Sequence, residues 1–254
     1  MAERKNNKRS SNVPWSDSEL RTSIDAYLYM LQLEVAGVPF SEIEQEKFLI
    51  SGSLSNRNDA SVRYRLRNIS HVMQERGEAT LKAYSAAPQV GKNVKARIHD
   101  LLDERRSTLR AIGQMVGSRS ATEVVDLEDV LAGLRQLKEM ISLLAPEPHA
   151  VAGIGHNNPP EAIVIGAEEF SEAVREITSI ESVVSGDEPD INVVEHSSNI
   201  LIRLGMKSTL WVGQRVTDFA KAGAVAAGTS AGLSLTGLGG QIVEMLRQVF
   251  TYLF

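Results

Sequence analysis

The stretch from residue 55 to residue 70 carries the clearest chemical signal: Ser-Asn-Arg-Asn-Asp-Ala-Ser-Val-Arg-Tyr-Arg-Leu-Arg-Asn-Ile-Ser. Read as a helix from about Ala60 to Arg76, it has an apolar face of Val62, Leu66, Ile69, Val72 and Met73. Arg63 and Arg67 lie one turn apart on a neighbouring face. Arg57 sits just before the helix N-terminus, where the dipole also favours anions. Guanidinium groups at that spacing can contact successive phosphates or hydrogen-bond guanine edges from a groove. Asn68 can read adenine or touch the backbone. A second reading stays open: a solvated charged face paired with Glu42, Glu44 and Glu46 of the preceding helix.

Two earlier helices must hold that stretch in place. Ser16-Asp17-Ser18-Glu19 is a capping box, in which the Ser16 hydroxyl accepts a backbone N–H and Glu19 reaches back. Leu20, Ile24, Tyr27, Leu28, Leu31 and Val35 follow at helical spacing, and Gly37 and Pro39 end the run. Ser41-Glu42-Ile43-Glu44 repeats the capping pattern and opens a short helix to about Ile50. Trp15 and Tyr27 read as core anchors rather than ligand contacts.

Further along, the sequence predicts a charged helix over about Lys92–Met115 and another over about Leu127–Leu144. These two are expected to pair as an intramolecular hairpin, with a coiled-coil dimer surface as the alternative. Residues 145–160 (APEPHAVAGIGHNNPP) hold four of the eight prolines and mark a linker. Helices over about 161–184 and 193–204 follow. Ala222 to Val243 is 22 residues without a charge, long enough for a bilayer, yet its six glycines lower its hydrophobicity. From Thr209 to the end, a buried helical hairpin, an oligomerisation segment and a membrane-active end all remain open. The expected organisation is a basic disordered arm (1–13), an N-terminal helical module (14–90), a helical hairpin (91–144), a Pro/Gly linker (145–160) and a C-terminal helical region (161–254). The fold class is mainly α.

Charge and composition narrow the function. Residues 1–110 carry 18 Lys/Arg against 14 Asp/Glu, and the remainder carries 9 against 18. A basic front and an acidic back suggest two tasks, with any polyanion engaging the front. There is no cysteine, so disulfides and thiolate metal sites are excluded. The N-terminus, with Arg4, Lys5, Lys8 and Arg9, lacks the apolar core of a secretion signal, and a cytoplasmic setting is expected. The five histidines, His71, His99, His149, His156 and His196, are scattered, and no phosphate loop, dinucleotide fingerprint or nucleophile elbow is present. The sequence therefore predicts a non-catalytic protein with no metal and no cofactor.

Several spaced elements together resemble a known family domain. Trp15-Ser16-Asp17-Ser18-Glu19-Leu20, Ala26-Tyr27-Leu28-Tyr29-Met30-Leu31-Gln32-Leu33-Glu34, Ser55-Asn56-Arg57 and Arg67-Asn68-Ile69-Ser70-His71-Val72 occur in the family's order. The N-terminal domain of McrA-type modification-dependent HNH restriction endonucleases, and of restriction-associated proteins, is similar over about residues 14–98. Lys82 to Gly91 echoes a further segment of that domain. The departures are Asn56-Arg57-Asn58 where the family has Gly-Arg-Ser, and Arg65 or Arg67 where it has lysine. The resemblance implies DNA targeting or antiviral defence, and adds Arg65 to the DNA-contacting candidates. Gly153 to Glu161 (GIGHNNPPE) also resembles a short peptide seen in bacterial chains without assigned activity. Gly155, His156, Asn157 and Asn158 there form a structured linker, a polar clasp or a peptide docking site.

These readings converge on a DNA-associated accessory or regulatory protein of a restriction or phage-defence system. Its DNA contacts are expected from Arg57, Arg63, Arg65, Arg67 and Asn68. The alternatives are a membrane-acting or self-assembling effector, engaging the inner membrane or further copies of the chain through Ala222 to Phe254, and an adaptor that binds another protein.

Overall fold

In the computed structural model, residues 13–118, 125–145, 165–222 and 230–254 are described, the side chains of 118 and 214–236 excepted. Among them are nine α-helices and no strand, so the fold is mainly α. Helix α1 (Asp17–Ala36) begins at the expected capping box: the Ser16 hydroxyl accepts from the Glu19 N–H at 3.2 Å, and the Glu19 carboxylate accepts from the Ser16 N–H at 2.8 Å. Gly37 ends it in the left-handed conformation, φ 76°. Between these caps α1 is buried on nearly every face, from Leu20 through Thr22–Leu31 to Leu33 and Val35. One apolar stripe was expected. Met30, Tyr29 and Leu33 are buried as well, because α8 and α9 also cover this helix, with Tyr29 against Gly205 and Gly239.

Helices α2 (Glu42–Ser51) and α3 (Asp59–Glu75) start at Ser41 and Asn58, whose side chains accept the capping N–H groups of Glu44 and Ser61. The helix expected over Lys92–Met115 is two, α4 (Lys92–Asp103) and α5 (Arg106–Ser118). The chain turns at Glu104-Arg105 because both side chains are drawn back onto α1. Arg105 forms a bidentate pair with buried Asp25 at 2.8 and 2.9 Å, and Glu104 accepts from Arg21 at 2.9 Å. Burial pushes the Asp25 carboxyl up. For Arg105 burial works downward, but the hydrogen bonds and charge of Asp25 outweigh it and raise the guanidinium.

The remaining helices are α6 (Leu127–Leu144), α7 (Ala167–Val184), α8 (Ile191–Ala222) and α9 (Ser230–Leu253). Each packs on the next and α9 returns to α6, closing a four-helix bundle. The stripe Val130, Leu134, Leu137 and Ile141 of α6 is buried, but not in the hairpin expected with 92–115. Its principal partners are α7 and α9, while α4 and α5 spend their apolar faces on α1. Helix α8 runs past Leu204, where the helix was expected to end. Gly205 does not stop it because close packing uses the missing side chain: a Cβ there would overlap the Tyr29 hydroxyl and lie 2.8 Å from its Cζ.

The described part of α9 is tucked into the bundle through Ile242, Leu246, Val249 and Phe250, as a buried helical hairpin with α8 requires. Among the described residues no helix is long and apolar enough to cross a membrane. One hydrophobic core runs from Trp15 to Phe250 and includes residues on both sides of 145–160. The arm at 1–12 and the peptide with Gly155, His156, Asn157 and Asn158 lie outside the described residues.

Candidate nucleic-acid interface

Burial divides the five candidates. Arg57 is 4% exposed. Its Nε and Nη2 donate to the two Glu19 carboxylate oxygens at 2.6 and 2.7 Å. Nη1 donates to the Val13 carbonyl at 2.6 Å, and Nη2 also to the Pro14 carbonyl at 2.8 Å. Burial works to raise the Glu19 carboxyl, but the hydrogen bonds from Arg57 and Ser16 outweigh it and hold the group below the usual carboxylate range. The capping box of α1 and the loop before α3 are thus one fastening.

Arg65 is also buried. Its guanidinium carbon lies 4.7 Å from the centre of the Trp15 ring, and that of Arg57 lies 4.6 Å from the same ring. Burial, and then the positive charge of Arg57, push the Arg65 guanidinium down to about 10. Its Nη1 donates to Asn68 Oδ1 at 3.3 Å. Asn68 in turn donates to the Ala87 carbonyl at 3.0 Å and is 1% exposed. The expectation that Arg57, Arg65 and Asn68 meet DNA does not fit this burial. Their polar groups are directed at the chain's own backbone and at Trp15.

Arg63 and Arg67 differ. The Arg63 side chain is 54% exposed, and Glu46 of α2 takes its Nε at 3.0 Å and its Nη2 at 2.5 Å. This is the ion pairing with α2 that the charged-face reading allowed, although Glu46 itself is buried and also accepts from the Tyr84 hydroxyl at 3.1 Å. Arg67 is partly exposed and donates from Nε to the Ser85 carbonyl at 2.9 Å. Arg63 is thus held through Nε and Nη2 and Arg67 through Nε, while both side chains keep part of their surface exposed.

The segment 78–91 docks on these same helices. Tyr27 accepts from the Leu81 N–H at 3.0 Å and bonds the Ser70 hydroxyl at 2.9 Å, while Tyr64 donates to the Gln89 carbonyl at 3.0 Å. Sequence reasoning missed two features. One is the Asp25–Arg105 pair, whose signal was a lone acid in the apolar run Ile24 to Leu31. The other is a cleft between α2 and α8, lined in part by Lys47, His196 and Arg203, for which spacing within either helix gave no sign. Among the described residues no group of three or more histidines and carboxylates is placed to hold a metal ion. No protein-family model, no curated protein and no solved structure matches this chain.

Proposed function

We propose that this chain is a non-catalytic DNA-associated accessory protein that touches the phosphate backbone through Arg63 and Arg67 of α3. The carrying observation is their arrangement: two guanidinium groups one turn apart on α3, each partly exposed and each held by Glu46 or the Ser85 carbonyl. An arginine already held in this way loses less freedom when it meets a phosphate. The basic balance of residues 1–110 and the resemblance to restriction-associated domains support the same reading. A cytoplasmic restriction or phage-defence system is the setting that goes with it.

With Arg57, Arg65 and Asn68 turned inward, the contacts are positional rather than base-reading. Binding is then salt-sensitive and tolerant of sequence, and equal for plain and methylated duplexes. Helix α1 is covered by α8 and α9, so the full chain is the species to test. Fluorescence anisotropy on duplex DNA across a salt series measures the slope of log affinity against log salt. Arg63→Ala with Arg67→Ala lowers that slope by roughly 2, close to one for each phosphate left without its arginine. An unchanged slope refutes the assignment.

A further inference from the structure

Helices α2 and α8 face each other across an open cleft of about 520 Å3. The α2 wall is built from positions 44, 47, 48 and 51 and the α8 wall from 196, 199, 200 and 203. Both sets follow the same i, i+3, i+4, i+7 spacing, so each helix turns one continuous face to the opening. Lys47 stands on one wall and Arg203 on the other. Neither forms an ion pair among the described residues. By contrast Arg21, Arg57, Arg63, Arg76, Arg97 and Arg105 each hold a carboxylate. Among the described residues lining the cleft, these two cations have Glu44 as the one acid beside them, which leaves an excess positive charge that an anion balances. Phe48 and Ile200 give the cleft an apolar patch, and the Asn199 amide adds a donor and an acceptor.

We infer that this cleft binds a small phosphorylated ligand with a flat apolar body, of the nucleoside monophosphate kind. The phosphate lies between Lys47 and Arg203, and the body rests on Phe48 and Ile200. Asn199 and Glu44 meet the polar edge of the body. The volume falls within the range of small-molecule sites. The site shares no residue with the Arg63 and Arg67 surface, so it stands whether or not the chain binds DNA.

The test is isothermal titration of the full chain with the four common nucleoside monophosphates, with inorganic phosphate and with the unphosphorylated nucleosides. At least one monophosphate binds saturably, and inorganic phosphate binds at least about tenfold more weakly because it buries no apolar body. Lys47→Gln with Arg203→Gln, two exposed positions whose fold is checked by circular dichroism, weakens that binding at least about tenfold. Arg63→Ala with Arg67→Ala leaves it unchanged. No saturable binding of any monophosphate up to roughly 10 mM overturns the inference. So does full retention in the Lys47/Arg203 variant, or phosphate binding as tight as the nucleotide.

Discussion

Removing the Arg57 side chain tests whether this arginine is a fastening or a ligand contact. Among the described contacts its guanidinium donates to Glu19 twice and to the carbonyls of Val13 and Pro14, and it lies against Trp15. Breaking a buried pair by deleting one partner costs about 3–5 kcal/mol, because the other charge stays buried without its counter-ion. Glu19 keeps some exposure and its bonds with Ser16, which places Arg57→Ala near the lower end. Taking the cation off the Trp15 face adds roughly 0.5–1 kcal/mol. The expected total is about 3–4 kcal/mol, a large share of a typical 5–15 kcal/mol stability. Urea unfolding followed by circular dichroism measures it, and a cycle with Glu19→Gln isolates the pair. The double variant should cost little more than the worse single one, a coupling of about 2 kcal/mol. The salt slope of DNA binding stays at its wild-type value while the protein is folded. A stability loss under about 1 kcal/mol together with a reduced salt slope refutes the reasoning and returns Arg57 to the DNA surface.

Other consequences follow from buried polar groups. The Tyr29 hydroxyl is buried with no hydrogen-bond partner among the described residues, so Tyr29→Phe stabilises the chain by about 1 kcal/mol in the same assay, and a destabilisation would contradict that orphaned state. Gly205→Ala drives a methyl into that hydroxyl and costs about 1–3 kcal/mol; combined with Tyr29→Phe the penalty shrinks, since the closest atom is gone, and an equal penalty in both backgrounds refutes the contact. Glu19 and Glu104 are both held below the ordinary value of 4.5, Glu104 chiefly by its hydrogen bond from Arg21. Groups lowered on folding add stability that is present above pH 4.5 and lost as pH falls through their folded values, with Asp25, raised by burial, offsetting part of it. Thermal melts between pH 6 and pH 3 should therefore fall on the acid side, and Glu19→Gln should flatten that fall; an identical pH profile in the variant removes Glu19 from the account.

Local signals in the sequence were read well because they are local. The capping box at Ser16, the Ser41 cap, Gly37 and the stripe of α3 depend on neighbours within a few positions, and α1 and α2 begin where Ser16 and Ser41 place them. What escaped reading depends on distant partners. Nothing near Glu104 marks a break; the turn exists because Asp25, some eighty residues earlier, captures Arg105. The helix expected to end near Leu204 continues through Gly205, because Tyr29 makes a residue without a side chain the one that fits there. The stripe of α6 was visible, but a stripe does not name its partner, and α7 and α9 cover it rather than the helices of 92–118. The burial of Arg57 and Arg65 escaped the sequence for the same reason. Charge pattern shows which positions carry guanidinium groups, not which of them will find a carboxylate or carbonyl inside the fold.

This bears on what a resemblance can transfer. The residues on which the expected resemblance to restriction-associated domains rests are Trp15, Glu19, Tyr27, Arg57, Asn68 and Ser70 among others. Here Glu19 clamps Arg57, Trp15 carries Arg57 and Arg65, Tyr27 ties Ser70 to Leu81, and Asn68 secures Ala87. Each is a fastening between α1, α3 and the segment that follows them. A pattern composed of such fastenings specifies an architecture, and it can be shared by chains that present different surfaces on it. Arg63, Arg67, Lys47 and Arg203 take no part in those fastenings, and it is on them that the proposed phosphate contacts rest.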